Sequence, residues 1–307
     1  MSVAVPHVTV LLSTYNGSRW LEPQLQSILA QTDVAIDVKV RDDGSSDDTA
    51  ALLDDYARRD ERVRWYAGDN LGVVASYLRL LGDVQRSAGY VAFSDQDDVW
   101  LPGKLRAAVK RLAVHGPDAP AMYCSRVRYV DETLQPLGMS RVPRRIGFAN
   151  ALVENVATGC TVVVNGAMVR LINRRQPTAV LMHDWWCYLV ASALGIVEYD
   201  SEPHILYRQH GGNVVGGKEG WFATLPHRVR RLRLRGDGVF RCSDQAAEFA
   251  RCHGAELSAD KAELLDAFLA ARRGFPAALA MATSGAVRRS HPADDAIVRF
   301  LIAARLF

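Results

Sequence analysis

The chain has 307 residues, 49% of them hydrophobic and 23% charged, and a formal net charge of +3 from 37 Lys and Arg against 34 Asp and Glu. This composition excludes a disordered, collagen-like or small disulfide-stapled chain, and the charge is too small by itself to argue for nucleic-acid binding. The length predicts one large domain with an appendage.

The charge is unevenly placed. From Trp221 onward there are 14 basic and 9 acidic residues, leaving 23 and 25 before it, so the body carries −2 and the tail +5. Cys124, Cys160, Cys187, Cys242 and Cys252 are odd in number and form no C-x-x-C pair, which predicts a reducing cytoplasm rather than a disulfide framework or zinc ribbon. The N-terminus lacks a basic n-region and has Pro6 ahead of a short apolar run, so no signal peptide is expected. The longest mostly apolar stretch, residues 185–197, is 13 residues, short of the ~20 needed to span a bilayer.

In chain order, residues 8–13 form a short apolar run and Leu21, Leu25, Ile28 and Leu29 recur at helical spacing, so the chain opens strand then helix. The pattern repeats with strands predicted at 36–41, 63–67 and 90–93 and helices at 49–58, 73–84 and 101–114. Further strands are expected at 122–130, 160–164, 196–199 and 205–208, with a helix at 184–194. Beyond Gly216-Gly217 the sequence reads as Arg- and Ala-rich helix, which places a boundary near residue 220. Alternation of strands and helices predicts an α/β fold with a mainly parallel sheet covered on both faces.

Ligands of open α/β sheets bind outside the carboxyl ends of the strands, so the residues after each strand are informative. Strand one is followed by Ser13-Thr14-Tyr15-Asn16-Gly17, strand two by Arg41-Asp42-Asp43-Gly44-Ser45-Ser46, and the fourth by Ser94-Asp95-Gln96-Asp97-Asp98. Any one of these reads as a turn or helix cap; three on one edge read as a site. Crowded carboxylates imply Mg²⁺ or Mn²⁺, whose coordination shell is normally completed by water and substrate phosphates. No G-x-G-x-x-G follows strand one, and the G-x-x-x-x-G-K at 212–218 continues with Glu219 in place of Ser or Thr, so it reads as a loop.

These motifs, with Asn70-Leu71-Gly72 and Val99-Trp100, resemble family 2 glycosyltransferases of the GT-A (Rossmann-like) fold over about residues 7–217. His183-Asp184-Trp185-Trp186 and Tyr207-Arg208-Gln209-His210-Gly211-Gly212-Asn213 resemble that family's bacterial rhamnosyltransferase branch. The resemblance implies that Ser13, Tyr15 and Asp43 hold the nucleotide, with Asp42 and Asn70 close by. It implies that Asp95 and Asp97 form a D-x-D pair, Asp97 being the direct metal ligand. No Q-x-x-R-W follows, which favours single-sugar addition over polymerisation.

A sugar hydroxyl attacks only as its proton is removed, and Asp184, opening a helix, is the candidate base; at an ordinary pKa near 4 it would be ionised, and an N-cap aspartate is the structural alternative. Trp185 and Trp186 are candidates for a sugar platform, although neighbours on a helix diverge by about 100°, which sends one to the core. His183 and His210 are alternative bases or contacts of the metal site. The function expected is an inverting, metal-dependent transfer of one sugar, L-rhamnose from dTDP-L-rhamnose by resemblance, to a glycan or polyprenyl-linked acceptor of a cell-surface polysaccharide. A sugar-nucleotide nucleotidyltransferase and a non-catalytic nucleotide-sugar scaffold are the alternatives. In the tail, residues 221–307, five arginines between 228 and 235 with Trp221, Phe222 and Leu225 suggest peripheral contact with an anionic membrane; a solvated helix face, or a homodimer contact through residues 262–282, is the competing reading.

Overall fold

The structure, a computed structural model, describes residues 5–84, 89–178, 180–211 and 241–307. Its main sheet has seven strands: β1 (His7–Thr14), β2 (Ala35–Asp42), β3 (Val63–Ala67), β4 (Tyr90–Ser94), β6 (Ala121–Ser125), β9 (Val163–Asn165) and β10 (Ile196–Asp200), in the order β10-β6-β9-β4-β1-β2-β3. β9 runs antiparallel to both neighbours and the other six strands share one direction, as the parallel pairings of β1 with β2 and β4, β2 with β3 and β6 with β10 require. A second sheet, in the order β5-β11-β7-β8, joins β5 (Val99–Trp100), β11 (Ile205–Arg208), β7 (Arg128–Val130) and β8 (Pro136–Met139).

β1 reads as a nearly continuous apolar run because both of its faces are covered. Val10 and Leu12 point into the cluster formed with Leu21, Leu25 and Ile28 of α1 (Ser18–Leu29), Leu53 of α2 (Thr49–Arg59) and Leu105 and Leu112 of α4 (Lys104–Ala113). Leu11 points the other way, to Tyr77 and Leu80 of α3 (Val73–Gly82), Met168 of α6 (Gly166–Arg174) and Trp186 of α7 (His183–Leu194).

The same second cluster continues into the chain's last helices: Phe249 of α8 (Cys242–His253), Phe268 of α9 (Ala259–Arg273), Met281 of α10 (Phe275–Ser284) and Ile302 of α11 (Pro292–Ala303). Leu265, Phe268, Ala271, Ala278 and Met281 are therefore buried within the chain, which takes much of the apolar face of 262–282 away from a dimer contact. The 212–218 loop, the arginine cluster of 228–235, and Trp221, Phe222 and Leu225 lie outside the described residues. Among the described residues no helix is long and apolar enough to cross a membrane.

Two sequence expectations need correction. The single strand expected at 122–130 is broken at Arg126, whose N–H donates to Asp200 O at 2.9 Å and whose Nε donates to Ser140 O at 2.6 Å; β6 and β7 consequently belong to different sheets. The strand expected at 160–164 begins with a 3-10 turn, Gly159–Thr161, and only then becomes β9. Because β9 runs against its neighbours, that turn is delivered to the edge where β1, β2 and β4 end. α6, α5 (Phe148–Ala151), β5 and β8 were not anticipated.

Candidate active site

The loop after β2 closes on itself. Asp42 accepts from Ser45 N at 2.9 Å and from the Ser45 hydroxyl, while Asp43 accepts from Leu71 N at 2.9 Å and Gly72 N at 2.8 Å. The buried Arg41 guanidinium pairs with Asp43 and also donates to Ser76 Oγ at 3.1 Å and Asp69 O at 2.7 Å. Burial alone would raise the Asp47 carboxyl, but hydroxyl and N–H donors from Thr49 and Ser18 outweigh it and hold it down at about 2. Ser13 Oγ meets Ser76 Oγ at 2.6 Å, Tyr15 is half-exposed, and Asn70 is exposed beside Gly44.

The first and third loops are tied together by Gln96, which sequence reasoning missed. Its Oε1 accepts from Thr14 Oγ1 at 2.6 Å and Tyr15 N at 2.9 Å, and its Nε2 donates to Tyr15 O at 3.2 Å, so one amide mimics a strand partner. A Cβ on Gly17 would lie 2.3 Å from Gln96 Oε1, which explains the glycine there.

The acidic loop after β4 is different. Asp97 Oδ2 lies 2.8 Å from His210 Nε2, and both side chains are small-fraction exposed, 14% and 13%, at the mouth of the site. The small sheet positions this pair: Arg208, at the end of β11, donates from its Nε to Asp97 O at 2.8 Å and from its N–H to Asp98 Oδ1 at 3.0 Å. Trp20 supports both residues, stacking on His210 at 5.5 Å with the Arg208 guanidinium 4.5 Å from its ring.

Asp95 lies deeper, with the Tyr77 hydroxyl 3.0 Å from its Oδ1. Burial and then the neighbouring Asp97 carboxylate push its carboxyl up to about 7. Asp98 is fully buried, its Oδ2 has no hydrogen-bond partner, and burial followed by repulsion from Asp97 and Asp95 raises it well above the carboxylate range. Ligand atoms of Asp95, Asp98 and Cys160 lie within 4.8 Å of one another, and burial keeps Cys160 a thiol. Lys104, also buried, places Nζ 3.5 Å from the Trp100 ring centroid; desolvation pushes it down to about 7. Its signal in the sequence was a cation in the helix expected at 101–114, four residues past Trp100.

Asp184 lies in the first turn of α7, its Oδ1 accepting from Trp185 N at 2.7 Å. Burial raises its carboxyl to about 6, against donors from Trp185, Asn155 and Gly159, so the ordinary value near 4 expected from sequence is corrected. Met182, not Asp184, is the N-cap. His183 is buried against the Tyr77 ring at 4.0 Å with neither ring nitrogen hydrogen-bonded, and burial holds it neutral, with its pKa at about 3. Trp186 is fully buried against Phe249 and His253, and Trp185 donates its Nε1 to Ala151 O at 2.7 Å. Trp186 is therefore core, and His183 is an aromatic packing partner; neither offers a face to an acceptor.

The edge thus brings Asp95 within electrostatic reach of both Asp97, with its partner His210, and Asp184, a cluster that can hold a cation and accept a proton. The profile of Glycosyl transferase family 2 matches residues 9–174, more than half of the chain. The chain belongs to glycosyl transferase family 2. It is a glycosyltransferase similar to the dTDP-rhamnosyl transferase RfbG of Shigella flexneri, 28% identical over 221 residues that cover 67% of this chain and 73% of the relative. A putative teichuronic acid biosynthesis glycosyltransferase, TuaG of Bacillus subtilis, is 34% identical over 102 residues, 33% of this chain and 39% of the relative. Among solved structures, S. aureus TarS 1-349 in complex with UDP-GlcNAc superimposes with a TM-score of 0.52 at 13% identity, covering 97% of this chain and 88% of that one. The mannosyltransferase PcManGT of Pyrobaculum calidifontis, in complex with GDP-Man and Mn²⁺, gives 0.50 at 20% identity, covering 98% and 85%. The fold is GT-A.

Proposed function

We propose that the protein is an inverting, divalent-metal-dependent glycosyltransferase that moves L-rhamnose from dTDP-L-rhamnose to a hydroxyl of a cell-surface polysaccharide precursor. The observation that carries the metal assignment is the Asp97–His210 pair: a carboxylate oxygen and an imidazole nitrogen 2.8 Å apart at the mouth of the site. The Asp97 carboxylate is a hard oxygen ligand that suits Mn²⁺ or Mg²⁺, and the His210 imidazole beside it suits Mg²⁺ less well than a softer ion; the bound ion would complete its shell with water and diphosphate oxygens. The Asp95, Asp98 and Cys160 group fits poorly, because two of its three members are closed off from solvent and the thiol stays protonated. When bound, the ion would neutralise charge on the departing nucleoside diphosphate.

The protein's own residues do the rest. Asp184 takes the proton of the attacking hydroxyl as its oxygen bonds to the anomeric carbon and the bond to the diphosphate breaks. With a carboxyl raised to about 6 it is mostly ionised at neutral pH yet basic enough to accept that proton. One base suffices for inversion. Similarity to the Shigella flexneri dTDP-rhamnosyl transferase supports the donor, and similarity to the teichuronic acid relative supports the polysaccharide setting. The nucleotide side would rest on Ser13, Tyr15, Asn70 and the Asp43 loop.

Incubation with dTDP-L-rhamnose and a panel of other nucleotide sugars, with and without Mn²⁺, tests the reading. Release of dTDP only with metal, and a product of opposite anomeric configuration, are expected. Metal-independent transfer or retained configuration would contradict it.

A further inference from the structure

Away from the acidic edge, the segment between β8 and α5 walls two adjoining cavities. The outer, about 550 Å³, is lined by Arg144, Arg145, Gly147, Asn150 and Arg288. The inner, about 570 Å³, is lined by Arg126, Arg141, Arg144, Asn155, Thr158 and Tyr199 among others. Arg144 borders both, and Asn155, which lines the inner one, is among the residues that donate to Asp184. The inner cavity therefore ends on the loop that holds the candidate base.

Charge is sorted between the two. The outer cavity has three arginines and no carboxylate. The inner one also has Glu154 and Asp294, but Glu154 Oε2 is already taken by Asn150 Nδ2 and Ser290 N, each at 2.7 Å. Among the described residues Arg144 and Arg145 have no hydrogen bond or ion pair, and Arg288 uses only its Nε, on Gly285 O at 3.1 Å. Neighbouring guanidinium groups without a carboxylate repel one another, and their planar forks match phosphate oxygens.

The same segment is also apolar. Leu137, Met139, Val142 and Ile146 are 53%, 44%, 46% and 42% exposed, and all four residues of β8, an outer strand of the small sheet, face solvent. Apolar and cationic side chains interspersed over residues 137–146 suit a molecule that joins a phosphate to a hydrocarbon chain at a bilayer surface.

We propose that the 137–146 segment and Arg288 seat the phosphates of a lipid-linked acceptor. Arg144, Arg145 and Arg288 hold the phosphates, Leu137, Met139, Val142 and Ile146 meet the hydrocarbon, and the acceptor sugar reaches past Arg126 and Tyr199 to Asp184. The assignment of the sugar's end rests on the transferase reading above.

The test sediments the full chain with phosphatidylcholine vesicles that contain a polyprenyl diphosphate, or phosphatidylglycerol at matched charge. Wild type binds the diphosphate vesicles more tightly. Arg144→Gln with Arg145→Gln weakens that binding roughly thirtyfold, two charges near an anionic surface. Leu137→Ser with Val142→Ser weakens vesicle binding while competition by inorganic pyrophosphate persists. All these side chains are exposed, so an unchanged melting temperature confirms the fold. Equal binding of wild type and the double arginine variant overturns the proposal, as does equal binding to phosphatidylglycerol. So does loss of the diphosphate preference on changing the five arginines of 228–235 to Gln. A chain that binds the diphosphate through Arg144 and Arg145 but transfers no sugar sinks the transferase reading and leaves the seat standing; transfer to a lipid-linked acceptor undiminished in the double variant does the reverse.

Discussion

Two acidic loops end on the same sheet edge and use their carboxylates in opposite ways. In the loop after β2, Asp42, Asp43 and Asp47 are each satisfied by N–H, hydroxyl or guanidinium donors of the chain itself. In the loop after β4, the half-buried Asp95 and the buried Asp98 are pushed upward by desolvation and then by the Asp97 carboxylate, and Asp97 itself faces His210. The first loop is a structural knot that shapes a surface; the second holds charge that the fold leaves poorly compensated. Functional sites are where such charge collects.

The sharpest break between the two would come from kinetics. Asp184→Asn should lower kcat by about 10² to 10⁴, the range for losing a general base, with nucleotide affinity retained. Asp97→Ala should lower transfer roughly 10³-fold, equivalent to several kcal/mol of metal stabilisation, while the melting temperature stays close to wild type. Asp43→Ala should do the opposite: it leaves Arg41 buried without its carboxylate and should cost about 3–5 kcal/mol of stability, read by denaturant titration. If Asp43→Ala is stable and Asp97→Ala unfolds, the comparison is reversed.

The dependence on pH is gentler. With Asp184 as the proposed base acting in its carboxylate form, kcat should be full above about pH 7, half-maximal near 6 and fall tenfold per unit below it. The stability sign is separate: a carboxyl raised in the fold binds its proton more tightly there than in the unfolded chain. Its contribution is present below about pH 4 and lost as pH rises through about 6, with Asp95 extending the loss to about 7. Thermal melts across that range should show it. The smallest effect is expected from Gln96→Ala, which frees the exposed Tyr15 backbone to water and should cost about 0.5–1.5 kcal/mol for each hydrogen bond lost.

Much of this was legible in the sequence. The strand and helix order through α4, the two-residue β5 apart, followed from apolar spacing, since strands covered on both faces and helices with one buried stripe leave distinct patterns. Adjacent Trp185 and Trp186 had to diverge on a helix, and Trp186 went to the core. The split at Arg126 was not legible, because it depends on two hydrogen bonds to distant backbone. Nor was the delivery of Cys160 to the acidic loop, which requires β9 to run antiparallel. α6 did leave a signal: Asn165 caps it by accepting from Met168 N at 3.0 Å, ahead of apolar residues at helical spacing. What sequence could not separate was Asp43 from Asp97, since an aspartate after a strand looks the same whether the chain has consumed its oxygens or left them for a ligand.

Titration calorimetry of dTDP with and without Mn²⁺, on wild type and on Asp97→Ala, tests that distinction most directly. Mn²⁺ should tighten binding to wild type by tenfold or more, roughly 1.4 kcal/mol, and leave Asp97→Ala unchanged. Equal tightening in both proteins would contradict the account.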